Sequence, residues 1–230
     1  MTIALSWSRI SDYRQCPAKF KLKYIDKASN FQMKDEDKSP ALVRGSNIHK
    51  QLESYVQQKL NGNPPNVTLP EVLGTIPIID KIMENYTVMP EKQIAIDVDF
   101  NEVSWYSKQA YFRVIYDLIG FGNDLLFIDY KTGKFTDYSG NINNLGQLHM
   151  AALVGMALWP DYEQCNSIYL YVDHKKNIPC KVQRSDFDHM KEQLQREHME
   201  INEEDVFAPK KNQYCRWCPS TTLQCQFGIN

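Results

Sequence analysis

Four cysteines, one near the start of the chain and three near its end, constrain this fold more than any other feature. Cys16 stands before Pro17, and almost two hundred residues later come Cys215, Cys218 and Cys225. A single site that used all four thiols would have to bring both ends of the chain together. Closely spaced cysteines in a reducing compartment indicate metal binding rather than disulfides, and thiolates suit either zinc or an iron–sulfur cluster. Their spacing alone does not separate these two kinds of centre.

The composition is that of a globular protein. The 230 residues are 43% hydrophobic and 12% aromatic, which supplies a sizeable core for what we expect to be one domain. No apolar run is long enough to cross a bilayer, and the first residues lack the basic start and apolar stretch of a signal peptide. We therefore expect a soluble protein of the cytoplasm, or of the host cytoplasm if the chain is viral. The formal charge of −2 does not indicate nucleic-acid binding, which a local basic surface would have to provide.

Three helices are predicted in the first part of the chain. They cover the segment from a cap at Ser6 or Ser8 to about Tyr24, then residues 41–60, and then residues 69–86. Residues 29–40 are polar and predict a loop, and Asn-Gly-Asn-Pro-Pro at 61–65 ends the second helix. Within the third helix, Pro77 predicts a kink or a break.

The middle of the chain predicts a sheet. Residues 94–100 alternate between apolar and polar side chains, as a strand does. Further strands are predicted at residues 110–121, 125–131, 168–173 and 178–183, and further helices at 144–158 and after a capping box of Ser185 and Asp188. We therefore expect an α/β or α+β fold, a sheet covered by helices, in which a helical part (1–90), a sheet core (91–185) and a C-terminal part (186–230) form a single domain.

Two carboxylates and a lysine are predicted to meet at the end of one strand pair. Asp129 and Lys131 share a strand face with Phe127, and Asp117 lies on the preceding strand of the predicted hairpin. An apolar stripe that ends in Asp and Lys is hard to explain by packing, although a strand emerging into solvent would show the same pattern. Two carboxylates that bind a divalent cation beside a lysine form a workable hydrolytic site.

This arrangement resembles the PD-(D/E)XK nuclease superfamily, and within it the RecB-like nucleases, on the sequence Asp-Tyr-Lys-Thr-Gly at 129–133 with Asp117 before it. The resemblance implies a restriction-endonuclease-like core, a central mixed sheet flanked by helices. It also implies the α/β class, that Asp117 and Asp129 bind Mg²⁺ or Mn²⁺, and that Lys131 assists catalysis. One departure is Val114-Ile115, where the family commonly has a small residue.

Two further segments match the same family. The sequence Arg-Gly-Ser-Asn-Ile-His at 44–49 resembles a segment whose histidine is an additional metal ligand, which implies that role for His49. Gln147 corresponds to a glutamine that follows the lysine strand, which implies that it holds DNA or the catalytic lysine. The family often has tyrosine four residues later, where this chain has Ala151. Glu53 lies one helical turn beyond His49, where it is either a solvated residue or part of the same cleft.

The cysteines resemble those of the iron–sulfur RecB-like nucleases, which include the AddB nuclease domain and CRISPR-associated exonucleases. The opening Ser-Trp-Ser-Arg-Ile at 6–10 and the Cys-Pro-Ala-Lys-Phe at 16–20 match that group. The resemblance implies a [4Fe-4S] cluster on Cys16, Cys215, Cys218 and Cys225 that joins the two ends of the chain. One remote cysteine with three at the tail favours a cluster over zinc, whose sites more often show two close pairs. Cys165 and Cys180 are expected to be ordinary, partly buried thiols.

The resemblance as a whole implies a metal-dependent DNA exonuclease that acts in DNA repair, recombination or viral DNA processing. Two alternatives stay open, namely an inactive nucleic-acid-binding or assembly module of the same fold and a zinc-stabilised adaptor. The complete set of His49, Asp117, Asp129 and Lys131 favours the enzyme. The expected partners are single-stranded DNA or duplex ends, with a homo-oligomer or a repair partner protein as further options. The basic residues expected to line the mouth of the cleft are Arg9, Arg14, Lys19 and Lys23.

Overall fold

The computed structural model describes residues 3–32, 39–135 and 146–228, which fall into two compact units. One unit consists of residues 39–192, and the other combines residues 1–38 with residues 193–230. Both ends of the chain therefore belong to the same unit, as a four-cysteine site requires. That the whole chain acts as a single domain stays a prediction.

The unit of residues 39–192 is built on a six-stranded mixed sheet. Its strands are β1 (Thr87–Ile96), β2 (Glu102–Val103), β3 (Phe112–Phe121), β4 (Leu125–Lys131), β5 (Gln164–Tyr171) and β6 (Lys176–Gln183). Their order is β2-β1-β3-β4-β5-β6, and every neighbouring pair is antiparallel except β4 and β5. The parallel pair places the ends of β4 and β5 at the same edge of the sheet, next to the predicted catalytic residues.

Helices pack on both faces of this sheet. They are α3 (Pro40–Leu60), α4 (Pro70–Asn85) and α5 (Gly146–Leu158). On one face, Ile48 and Leu52 of α3 form a buried cluster with Leu118 and Ile128 of the sheet. On the other face, a Cβ added to Gly155 of α5 would lie 2.1 Å from the Phe127 ring, so glycine is needed for this close approach. The sheet and its two helical layers bring α3 and α5 to opposite sides of the strand that carries Asp129 and Lys131.

The second unit is mainly helical. It contains α1 (Trp7–Gln15), α2 (Pro17–Phe20), a π-helical turn (Lys21–Ile25), two 3-10 turns (Ser29–Phe31 and Gln213–Trp217) and the second half of α6 (Phe187–Glu203). The Phe20 ring stacks on the Phe207 ring with centroids 6.2 Å apart, and the Tyr13 ring meets both edge-on. Ser6 caps α1 through its hydroxyl, which accepts the Arg9 N–H.

The prediction of one helix from Ser6 or Ser8 to Tyr24 is wrong. The helix stops at Gln15, and Cys16 is extended, with φ −164° and ψ 109°. Pro17 explains the break, because the residue before a proline is driven away from the helical region. The break turns the Cys16 side chain out of the α1 helix and into a cavity shared with the other three cysteines of the predicted site.

Other boundaries also differ from the predictions. Pro77 does not break α4, which is continuous from Pro70 to Asn85. Strand β1 covers Thr87–Ile96 rather than residues 94–100, and the predicted capping box of Ser185 and Asp188 is formed instead by Gln183 and Asp186. The short strand β2 was not expected. Residues 33–38 of the predicted loop, and the predicted helix start at Asn144, lie outside the described residues.

The remaining elements agree with the sequence. Helix α3 starts one residue before its predicted start and ends at its predicted end, and β3, β4, β5 and β6 lie at their predicted places to within a few residues. The α/β class and the mixed sheet flanked by helices are confirmed. In the described part of the chain, no helix has the length and apolar character needed to cross a membrane.

Candidate active site

The pairing of β3 with β4 places Asp117 beside Asp129. The ladder ends at the pair Leu118–Ile128, so the next residue of each strand is one of the two aspartates. The Asp117 carboxylate instead accepts the backbone N–H of Tyr130 at 2.6 Å, and its other oxygen lies 3.2 Å from His49 Nδ1. Where the two strands part, the Asp117 side chain therefore takes the place of the next backbone hydrogen bond of the ladder. This contact, with the one to His49, holds Asp117 between α3 and β4.

Asp129, Lys131 and Gln147 form a compact group on the opposite side of β4. Lys131 Nζ lies 2.6 Å from Asp129 Oδ2 and donates to Gln147 Oε1 at 3.1 Å, while Gln147 Nε2 donates to Asp129 Oδ1. The Lys131 ammonium also lies 4.5 Å from the centroid of the Tyr169 ring. The first residues of α5 thus hold the lysine and the carboxylate in one fixed arrangement.

The Asp129 carboxylate is buried, and its protonation reflects that burial. Loss of solvent raises the pKa of Asp129 to about 6, although the Lys131 ammonium opposes this shift and Asp117 adds to it. Asp129 Oδ2 is buried, and the Lys131 ammonium lies 2.6 Å from it. A carboxylate oxygen is also a ligand that Mg²⁺ or Mn²⁺ prefers, so a bound cation could share this oxygen with Lys131.

On the α3 side, His49 and three acidic residues line one cavity of about 430 Å³. The acids are Asp117, Glu53 and Glu91. Burial lowers the pKa of His49, but Asp117 and Asp129 raise it more, and the net shift is upward. Glu91 falls opposite Asp117 in the β1–β3 register, and its backbone is in the left-handed region with φ 40°. Burial, Asp117 and Glu53 raise the pKa of Glu91.

Arg44 ties α3 to the ends of β4 and β5. Its guanidinium lies 2.7 Å from Glu71 Oε1 and also binds the carboxylate of Asp173. Asp173 Oδ2 in turn accepts the backbone N–H of Gly133 at 2.7 Å. The neighbouring Gly45 is needed because a Cβ there would lie 2.9 Å from Thr132 Oγ1. The Arg-Gly segment therefore fixes the turn that follows Lys131 against the helix that carries His49.

The donor chemistry of this site fits a divalent cation. Carboxylate oxygens from Asp117 and Asp129 suit Mg²⁺ or Mn²⁺, and the imidazole of His49 suits Mn²⁺ better than Mg²⁺. Across residues 3–32, 39–135 and 146–228, however, no three His, Cys, Asp or Glu side chains converge closely enough to hold one ion. In this structure Asp129 faces Lys131 and Gln147, whereas Asp117 faces His49 and Tyr130.

The four cysteines of the predicted site line a separate cavity of about 240 Å³ in the unit formed by both chain ends. Two backbone N–H groups point at their sulfurs, from Lys210 to Cys16 at 3.4 Å and from Asn212 to Cys215 at 3.3 Å. Cys165 and Cys180 are buried in the sheet of the other unit, so they are more enclosed than the partly buried thiols we expected. All six cysteines are free thiols in this structure.

The basic residues predicted to bind DNA already have partners within their unit. Lys19 Nζ and Lys23 Nζ lie 2.7 Å and 2.8 Å from the two carboxylate oxygens of Asp12. Arg14 forms an ion pair with Glu197, and Arg9 donates to the carbonyl of Ala4. A DNA phosphate would have to displace these carboxylates, so the prediction for this helix is not strengthened by the structure.

Sequence reasoning missed Glu91 and Asp173. The predicted strand began at residue 94, which left Glu91 outside the sheet that places it opposite Asp117. Asp173 ended a predicted strand, and the signal that could have identified it is its place at the end of a strand parallel to the Asp-Tyr-Lys strand. Acidic residues at the shared ends of parallel strands are candidates for such sites.

Comparison with known proteins agrees with this geometry. Residues 4–225 match the PD-(D/E)XK nuclease superfamily. The crystal structure of SSO0001 is 14% identical, with a TM-score of 0.50 over 99% of this chain and 88% of that one. A crystal structure from Eubacterium rectale, of a protein provisionally named an exonuclease, is also 14% identical, with a TM-score of 0.54 over 94% of this chain and 86% of that one.

At such low identity, the two solved structures support the fold alone. No curated protein matches the chain. The superfamily match, in contrast, extends over nearly all of the sequence and includes every residue of the site described above. The chain therefore belongs to the PD-(D/E)XK nuclease superfamily.

Proposed function

We propose that this protein is a divalent-metal-dependent DNA exonuclease of the RecB-like type, which hydrolyses phosphodiester bonds. One observation carries the proposal. Asp117 and Asp129 are the residues that follow the last β3–β4 pair, and the buried Asp129 carboxylate forms an ion pair with Lys131, whose Nζ lies 2.6 Å from Asp129 Oδ2. A buried ion pair is weak evidence for a stabilising role, whereas two carboxylates beside a lysine suit metal-assisted hydrolysis.

His49, Asp117 and Asp129 would hold Mg²⁺ or Mn²⁺. When bound, such an ion polarises a phosphoryl oxygen and lowers the pKa of a bound water. Lys131 then provides a fixed positive charge toward the phosphate, where negative charge develops in the transition state. Gln147 keeps the Lys131 ammonium in place through its side-chain oxygen, so little reorganisation is needed during the reaction.

The exonuclease assignment is supported by the family and by the name of the Eubacterium rectale protein, which shares the fold. Repair, recombination and viral DNA processing all supply the free DNA ends that such an enzyme consumes. A nuclease that works along a strand also gains from oligomerisation or from a partner protein, because either keeps the strand in place between cleavage events.

A [4Fe-4S] cluster on Cys16, Cys215, Cys218 and Cys225 is the second part of the proposal. The four cysteines line one cavity of about 240 Å³. One remote cysteine with three at the tail favours a cluster over zinc, whose sites more often show two close pairs. Backbone N–H groups that point at Cys16 and Cys215 suit thiolate ligands. A zinc adaptor would also leave the Asp-Tyr-Lys site unexplained.

The test uses protein purified without oxygen and end-labelled single-stranded and duplex DNA, with Mg²⁺ or Mn²⁺ added. We expect progressive shortening from an end by the wild type and none by Asp129→Ala or Lys131→Ala. The matched control is Lys134→Ala, which removes an exposed lysine three residues further along the chain. DNA binding without hydrolysis by the wild type would favour the inactive module, and unchanged activity of Lys131→Ala would overturn the assignment of the site.

A further inference from the structure

The last part of the chain is basic, although the whole protein is slightly acidic. Residues 206–230 contain Lys210, Lys211 and Arg216 but no aspartate or glutamate, whereas the formal charge of the chain is −2. This segment lies within the unit that holds the four predicted cluster cysteines. Its charge therefore differs in sign from that of the protein as a whole.

These three cations also differ in their partners from four other basic residues of their unit. Lys19, Lys21, Lys23 and Arg14 all lie within ion-pair distance of a carboxylate. Over residues 3–32, 39–135 and 146–228, no carboxylate pairs with Lys210, Lys211 or Arg216. Lys210 Nζ donates to the carbonyl of Arg14 at 3.4 Å, and the other two cations lie over aromatic rings.

Two aromatic side chains close to these cations in the sequence are exposed. Trp217 is 64% exposed and Tyr214 is 49% exposed, and their ring centroids are 6.3 Å apart. Arg216 Cζ lies 3.8 Å from the centroid of the Trp217 ring. A single exposed ring needs no explanation, but two neighbouring exposed rings beside three cations form a contiguous surface of the kind that marks a binding site. Aromatic faces beside cations are the usual platform for unpaired bases.

We propose that Tyr214 and Trp217, with Lys210, Lys211 and Arg216, form a C-terminal surface that binds single-stranded nucleic acid. Unpaired bases stack on the two rings, and the three cations neutralise neighbouring phosphates. A duplex hides the faces of its bases, so the exposed rings favour a single strand. This inference deepens the proposed nuclease function, since the bound strand would be its substrate, but binding itself requires no hydrolysis.

The stacking is tested by anisotropy of a labelled oligothymidylate, with full-length Asp129→Asn protein purified without oxygen and no divalent metal added. Loss of one stacking contact should weaken binding roughly 5- to 150-fold in Trp217→Leu. Trp217→Phe keeps an aromatic face and should retain most of the affinity. The matched control is Tyr106→Leu, which removes another aromatic side chain, 86% exposed, from the other unit. It should bind as the parent does.

The same assay with an oligonucleotide that carries abasic sites separates stacking from charge. The parent protein should bind the abasic strand more weakly than the intact one, whereas Trp217→Leu should no longer distinguish the two. For charge, Lys210→Gln/Lys211→Gln/Arg216→Gln should reduce the salt dependence of log Kd by about 2, at about 0.7 per phosphate contact on a single strand. The control is Lys59→Gln/Lys81→Gln/Lys108→Gln, which should leave that slope unchanged.

Equal affinity of Trp217→Leu and its parent, in protein whose thermal unfolding is unchanged, would overturn the proposal. So would equal binding of intact and abasic strands by the parent. Should Trp217→Leu fail to fold, the Trp217→Phe comparison and the salt slope of the triple glutamine variant decide the question. Strand hydrolysis by the wild type without any effect at Trp217 would refute this surface alone, and binding without hydrolysis would refute the nuclease assignment alone.

Discussion

Gln147 is the residue that joins Asp129 and Lys131, the two side chains on β4 that we propose to be catalytic. Its amide nitrogen donates to Asp129 and its amide oxygen accepts from Lys131, so one side chain sets the orientation of both. The family resemblance implied a role for Gln147 in holding DNA or the lysine, and these contacts favour the second of those roles. The following turn of α5 places Ala151 where the family often has tyrosine, and its carbonyl instead accepts the Tyr116 hydroxyl at 2.7 Å.

Gln147→Leu should lower kcat by roughly 10- to 100-fold, the range seen when a residue that orients a metal-site ligand is lost. The reason is that Lys131 and Asp129 lose their common hydrogen-bonding partner while both remain present. The measurement is initial-rate hydrolysis of labelled DNA together with Mn²⁺ titration, because a positioning residue should change metal affinity as well as rate. Gln57→Leu, an exposed glutamine on α3, is the control. An unchanged kcat in Gln147→Leu would refute this role.

At the scale of secondary-structure elements, Arg44 connects three parts of the site. It binds Glu71 on α4 and Asp173 after β5, and Asp173 holds the backbone of Gly133 after β4. The Arg44 side chain is 41% exposed, so these ion pairs contribute little to the free energy of unfolding, about 1 kcal/mol or less. Their effect should instead be on the relative placement of His49 and Lys131.

Arg44→Met should therefore reduce kcat/KM about tenfold while changing the free energy of unfolding by only about 1 kcal/mol or less. Arg44→Lys keeps the charge but cannot hold two carboxylates with a planar fork, so it should recover only part of the activity. Chemical denaturation and steady-state kinetics on the same samples provide both measurements. A large loss of stability with normal kcat/KM in the folded fraction would show that the network is structural only.

Helix α6 carries a histidine that should make the protein sensitive to acid. His198 is 7% exposed, and burial lowers its pKa to about 4 in the folded protein. The unfolded chain takes up a proton near pH 6.5, so His198 favours the folded state above that pH, and this contribution is lost as the pH falls toward 4. The full difference is about 3 kcal/mol. In urea denaturation, His198→Gln should lose less stability over this range than the wild type, and exposed His189→Gln should behave as the wild type does.

The sequence predicted an element well where its own side-chain pattern determines its structure. It predicted an element poorly where pairing or packing with neighbouring elements determines that structure. The first half of β1 contains Pro90, a residue that central strands rarely include. This half is a strand because it pairs with β3, where Pro90 lies opposite Leu118. In α4, Pro77 frees the carbonyl of Leu73, and both residues lie on the exposed side of the helix.

The same distinction applies to the site. Asp129 and Lys131 followed from strand periodicity, and Asp117 from the turn between β3 and β4. Glu91, Glu71 and Asp173 come from three other elements, and only the sheet register and helix packing bring them near the proposed catalytic residues. No local pattern contains that information.

At the scale of the whole molecule, the proposed cluster joins the two ends of the chain. Cys16 and Cys225 are about two hundred positions apart, and both line the same cavity of the unit that the two ends form. A link across so long a loop restricts the unfolded chain and can contribute up to about 5 kcal/mol in the chain-entropy description. Cys16→Ser, Cys215→Ser, Cys218→Ser and Cys225→Ser should therefore lower stability markedly.

Removing the proposed cluster with a chelator distinguishes its contribution to stability from the contribution of side-chain packing. Cys180→Ser places a hydroxyl in the sheet, where Cys180 is 6% exposed, and should cost about 1–3 kcal/mol whether or not a cluster is bound. Cys16→Ser should lower the midpoint of thermal unfolding only in protein that still carries its cluster, and chelator-treated wild type and Cys16→Ser should unfold alike. The losses of stability from two changes that act on the same centre are not additive, whereas the losses from Cys180→Ser and from chelation should add. The contrary result would be that the loss of stability from Cys16→Ser adds to the loss from chelation, as that of Cys180→Ser does. Cys16 would then not belong to the site, and the two ends of the chain would be held together by packing alone.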